Sequence, residues 1–146
     1  MKLIPGDIVE IPTPEGNAYV QVTHDHASYP QTVRVLPGRH RERPDNFDFL
    51  VRLKSEFVAM VMLDQAIGNM RIKAEKVANT DVPSDYKTFP TFRMPIRDKQ
   101  GGIAYWWLWD GEGLSYTTEL DEKTSDLPMR EVMAMDRFME KLASQA

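Results

Sequence analysis

The sequence predicts a mainly β chain of the α+β class: an SH3-like, partly open barrel and an antiparallel meander, followed by one C-terminal amphipathic helix. Three observations carry that reading. Short runs of alternating apolar and polar residues recur along residues 7–53 and 91–120, separated by Pro, Gly and Asn. A Pro5-Gly6-Asp7 entry leads into the first of these runs. After Ser125 the apolar spacing changes from two to three and four, the period of a helix. At 146 residues the chain is expected to form one domain, residues 1–146, large enough to bury about 70% of its unfolded surface.

Asp7–Ile11 and Ala18–His24 are β-rich runs flanking Pro12–Asn17, so a hairpin with a longer loop is expected. In the second run Tyr19, Gln21 and Thr23 share one face, and Val20, Val22 and His24 the other. A third strand, Thr32–Leu36, should stop at Pro37-Gly38. Phe47, Phe49, Val51 and Leu53 then alternate with Asp48 and Arg52, which predicts a half-buried strand over Phe47–Leu53. Phe57–Leu63 fits a buried strand or a short helix reaching Ala66, and Gly68-Asn69 soon after favours the strand. Ala78–Lys87 reads as a loop. From Thr91 a three-stranded meander follows: Thr91–Ile96, Ile103–Trp109 and Leu114–Leu120, with turns at Asp98–Gly102 and Asp110–Gly113. Ser125 or Asp126 can cap a last helix over Pro128–Ala143, with Pro128 in its first turn. Its stripe of Val132, Met135, Met139 and Leu142 should be buried against the sheet.

Composition narrows the function. Hydrophobic content of 42% with 27% charged residues excludes a disordered chain. Cysteine is absent, which removes disulfides, thiol chemistry and Cys-based zinc sites. The longest apolar run, Phe57–Leu63, is seven residues, against the ~20 of a membrane helix. With no signal-peptide core at the N-terminus, a cytoplasmic location and no membrane partner are expected. The net charge of −4 disfavours nucleic acid as a partner.

Candidate chemistry is sparse. His24-Asp25-His26 offers two imidazoles and a carboxylate, but no third ligand is fixed nearby, so no metal site is expected. Arg39, His40, Arg41 and Arg43 form a basic loop after Pro37-Gly38. Guanidinium forks suit phosphate or carboxylate, so this loop is the alternative anion, nucleic-acid or small-ligand contact; a solvated tip is the plainer reading. In Tyr105-Trp106-Trp107-Leu108-Trp109 one face carries Ile103, Tyr105, Trp107 and Trp109, and the other Ala104, Trp106 and Leu108. Such a strand is either covered on both sides or carries a binding surface. Residues 110–126 add six carboxylates against one lysine, without a His, Cys or activated Ser to form a catalytic pair. An aromatic strand with an acidic rim suits protein recognition, so Tyr105, Trp107, Trp109, Asp110, Glu112 and Glu119 are the expected partner-binding residues. Neither catalytic residues nor a cofactor are expected.

Two stretches carry a resemblance. Pro5-Gly6-Asp7-Ile8-Val9-Glu10-Ile11-Pro12, with Gly16-Asn17-Ala18-Tyr19-Val20-Gln21-Val22, resembles the opening of the bacterial immunity protein 26 family. Phe89-Pro90-Thr91-Phe92-Arg93-Met94-Pro95, with Tyr105–Gly111, resembles a later block of the same family. The resemblance implies a β-rich cytoplasmic protein, encoded beside a polymorphic toxin, that binds and neutralises it without catalysis. The partner would be a basic toxin domain; self-association stays open.

Overall fold

The computed structural model describes residues 3–25, 30–87, 92–109, 114–117 and 133–144. Among them are eight strands and three α-helices: β1 Asp7–Thr13, β2 Gly16–His24, β3 Gln31–Val35, α1 Asp48–Val51, β4 Val58–Val61, α2 Leu63–Gly68, β5 Glu75–Asn79, β6 Phe92–Arg97, β7 Ile103–Trp109, β8 Leu114–Thr117 and α3 Met135–Ser144. The mainly β expectation holds. The chain divides into two compact units, residues 1–87 with 132–146, and residues 88–131.

The first unit is built on a five-stranded antiparallel sheet in the order β4-β3-β2-β1-β5. β1 and β2 meet in a hairpin tighter than expected, because Thr13 pairs with Gly16 and only Pro14-Glu15 turn. The Thr13 hydroxyl donates to the Gly16 carbonyl at 2.6 Å and accepts the Glu15 N–H. Gly16 has φ +123°, and a Cβ there would stand 3.1 Å from the His40 carbonyl, so only glycine fits the position. That close approach lets Asn17 and His40 exchange two backbone hydrogen bonds.

Both faces of this sheet are covered. On one, Val9, Ile11, Val20, Val22, Val33, Val35, Ala59 and Val61 pack with Leu63 and Ala66 of α2 and with Met135, Phe138 and Leu142 of α3. The expected helix stripe is therefore buried at Met135 and Leu142, with Met139 half-buried. The helix expected from Pro128 starts only at Met135, since Met133 and Ala134 precede it in extended or irregular backbone; Val132 and the expected caps Ser125 and Asp126 lie outside the described residues. On the opposite face Ile8, Tyr19 and Leu36 pack with Phe47, Leu50 and Val51.

That second cluster corrects the strand expected at Phe47–Leu53, which forms α1 and its flanks. Asn46 Oδ1 accepts the Asp48 N–H and starts the turn. The buried residues are Phe47, Leu50 and Val51, at i, i+3 and i+4, while Phe49 is 72% exposed. Phe57–Ala66 resolves into both forms, β4 followed directly by α2. β5 was not anticipated. It is a charged edge strand that pairs only with β1 along Asp7–Glu10.

The second unit holds the three-stranded antiparallel meander β6-β7-β8, as the alternation from Thr91 predicts. Asp98 shapes the β6–β7 turn, its Oδ1 accepting the N–H groups of Gln100 and Gly102 at 3.0 and 2.9 Å. No helix among the described residues is long and apolar enough to cross a membrane.

Candidate functional site

β7 is the central strand of the meander, so its odd-numbered residues share one face. Along that face exposure falls steadily. Ile103 is 43% exposed, Tyr105 and Trp107 are half-buried, and Trp109 is 6% exposed. Of the three aromatic residues expected to meet a partner, Tyr105 and Trp107 are thus accessible and Trp109 is not. The opposite face is not sealed either: Ala104 is exposed, and Trp106 and Leu108 are half-buried.

The register adds a residue that the sequence reading left out. Trp109 pairs with Leu114, so two steps back Trp107 faces Tyr116 on β8. Tyr116 is 69% exposed. The rings of Tyr105, Trp107 and Tyr116 stand 6.0–6.1 Å apart, centre to centre, with interplanar angles of 69–74°. With Ala104 they line a cleft of about 280 Å³. The signal for Tyr116 was present in the sequence, since the turn expected over Asp110–Gly113 would pair Trp109 with Leu114 and so Trp107 with Tyr116. Asp110, Glu112 and Glu119 lie outside the described residues.

The basic loop is tied inward. The Arg39 side chain is 2% exposed; Nη1 donates to Glu56 at 3.0 Å, and Nε and Nη2 donate to the Leu142 carbonyl at 2.8 and 2.6 Å. Arg43 donates through Nε to Glu10 at 2.8 Å and is also paired with Glu75. The His40 ring packs 5.6 Å from that of Tyr19. Arg41 is exposed. Two of the three guanidiniums are therefore already paired within the chain, Arg39 buried and Arg43 48% exposed.

Beneath the loop, Glu10 links Arg43 to the Tyr19 hydroxyl, which donates to it at 2.8 Å. The Arg43 hydrogen bond, helped by that hydroxyl, outweighs burial and holds the Glu10 carboxyl below its usual range. Burial, with the Glu10 carboxylate beside it, pushes the Tyr19 hydroxyl up to about 12. At the other end of the sheet burial raises the Asp7 carboxyl, but hydrogen bonds from Asn79, the Ile4 N–H and Lys76 bring it below its ordinary value.

Arg34 is fully buried on β3. Nη1 donates to Gln21 at 2.9 Å, Nη2 donates to the Leu53 carbonyl at 2.8 Å, and the guanidinium lies 4.1 Å over the Tyr86 ring. Burial pulls its pKa down. These contacts serve the sheet and present no reactive pair. His24 uses Nδ1 toward Thr23 and Nε2 toward the Lys87 carbonyl, at 2.9 and 2.8 Å, and His26 lies outside the described residues. Among the described residues no group of three or more His, Cys, Asp or Glu is placed to hold a metal ion.

Comparison with protein-family models, with curated proteins and with solved structures finds no match to this chain.

Proposed function

We propose that this chain is a non-catalytic, cytoplasmic binding protein of the immunity type, which neutralises a basic toxin domain through the open face of the meander. The observation that carries the reading is the accessible trio Tyr105, Trp107 and Tyr116 around a cleft, in a sheet whose own segment is acidic. Residues 88–131 contain five Lys and Arg against eight Asp and Glu, so that segment accounts for −3 of the net charge of −4. Aromatic side chains dominate binding hot spots, and rim carboxylates accelerate encounter with a cation-rich partner. The same charge disfavours a nucleic-acid backbone over these stacking surfaces. The resemblance to the immunity protein 26 family points the same way. The five-stranded sheet is read as the SH3-like, partly open barrel of such a protein, with neither metal nor cofactor in its action.

The test is binding kinetics against the product of the adjacent gene. Trp107→Ala should raise the dissociation rate and cost about 2 kcal/mol, roughly 30-fold in affinity. Neutralising Asp110, Glu112 and Glu119 should slow association, and the wild-type on-rate should fall as salt rises. If Trp107→Ala melts the protein while the acidic changes leave association untouched, the strand is core and the reading fails.

A further inference from the structure

We propose that Tyr105, Trp107 and Tyr116 form a socket for one arginine side chain of a protein partner, an inference that rests on the reading of the chain as a binder of a basic protein. The geometry is that of a corner. The three ring centres form a nearly equilateral triangle with sides of 6.0–6.1 Å, and the planes are 69–74° apart, near the perpendicular. A point over the middle of that triangle lies within ~6 Å of all three ring centres, the reach of a cation–π contact. The same rings, together with Ala104, line a cleft of about 280 Å³. The first unit makes cation–π contacts twice, with Arg34 4.1 Å above Tyr86 and Lys141 4.2 Å above Phe57.

Charge and hydration select the occupant. The charge balance of residues 88–131, eight Asp and Glu against five Lys and Arg, favours a cationic partner for this unit over an anionic one. The corner is open on the side of Tyr116, which is 69% exposed, so an incoming head keeps part of its water. A guanidinium is more weakly hydrated than an ammonium, and it is planar. Laid flat on one ring, it directs its N–H edges at the other two, because those rings stand nearly upright to the first. A lysine head gives up more hydration for the same faces.

The experiment follows the Trp107 indole N–H by NMR, its signal assigned with Trp107→Phe, during titration with Nα-acetyl-arginine N-methylamide. The neutral isostere is the matching citrulline derivative, and the lysine derivative is the third probe. Arginine should shift the indole and saturate in the millimolar range, with citrulline about tenfold weaker and lysine weaker than arginine. Tyr116→Leu keeps apolar area, removes a π face at an exposed position, and should weaken arginine about fivefold with the fold intact. Citrulline binding as well as arginine, lysine binding as well as arginine, or no arginine-dependent shift would overturn the socket. The two readings fail separately. A persistent arginine-selective shift with no binding of the adjacent gene product sinks the inhibitor reading alone. Tight binding of that product, unchanged by Tyr116→Leu and without an arginine shift, sinks the socket alone.

Discussion

β2 and β7 occupy equivalent places, each an interior strand of an antiparallel sheet, yet their surroundings differ. From Ala18 to Thr23 every residue of β2 is buried, including Gln21 and Thr23. β7 is far more aromatic, and Trp109 is its only buried residue. The difference is supplied by other segments. Phe47, Leu50 and Val51 cover one side of β2, and α2 and α3 the other. Hydrophobic side chains thus mark where burial is available, and the covering elements decide where it happens. An aromatic strand left partly open is the more informative of the two about function.

The sharpest way to break this comparison is a pair of tyrosine truncations. Tyr19 is 1% exposed, packs 5.0 Å from Phe47 and bonds Glu10, so Tyr19→Ala should cost about 3–5 kcal/mol in urea denaturation. Tyr116→Ala should change stability by no more than about 0.5 kcal/mol. Equal costs would mean that the β8 face is core. A smaller effect is expected at the buried cation. Arg34→Lys keeps the charge but reaches only one of the Gln21 and Leu53 acceptors, so it should cost about 2 kcal/mol, read as a lowered melting temperature.

Turn glycines give a finer contrast. Gly16 and Gly101 both have positive φ, but the His40 backbone crowds only Gly16, while nothing stands within 4 Å of a Cβ at Gly101. Asn visits the left-handed region near φ +60° but not φ +123°, so Gly101→Asn should cost about 1 kcal/mol and Gly16→Asn, strained and crowded together, about 1–3 kcal/mol, measured by chemical denaturation. Similar values would show that His40 yields easily.

The smallest effects are in pH dependence. Asp7 and Glu10 sit below their ordinary 3.8 and 4.5, so their stabilisation is complete above those values and is lost as pH falls below them. Tyr19 sits above its ordinary 10, at about 12, so its contribution holds below pH 10 and is lost as pH climbs from 10 toward 12. Asp7→Asn should flatten the acid limb and Tyr19→Phe the alkaline one, both followed by far-UV circular dichroism. All three tryptophans lie on β7, so fluorescence reports on the meander separately. A limb unchanged by its substitution would assign it to other groups.

The legible parts of the sequence were those where one period had no competitor. β1, β2, β3 and the meander showed alternation with clear turn residues, and α3 showed a helical stripe. Residues 47–53 carried two periods at once, alternating as Phe47, Phe49, Val51 and Leu53 but also spaced as Phe47, Leu50 and Val51. Burial chose the second, which local pattern alone could not decide. β5 was hidden because an edge strand with Glu75 and Lys76 exposed has no apolar face to display. Of the site, Tyr105 and Trp107 were readable. Tyr116 required the cross-strand register, and the inward turn of Arg39 required Glu56 and Leu142, which are 17 and 103 residues away.

The division of the first unit between residues 1–87 and 132–146 has a consequence for how the chain is made. Phe138 and Leu142 complete the cover of the valine face of the sheet, yet they are synthesised about 60 residues after the last strand of that sheet. At roughly 5–20 residues per second the sheet waits on the order of 3–12 s at the ribosome with that face covered by α2 alone. During that interval the whole meander is translated and, being built from local pairings, can fold first. Chaperone capture in the cell should therefore concentrate on nascent chains that stop short of Leu142, and a stalled or prematurely terminated product is the species most exposed to aggregation.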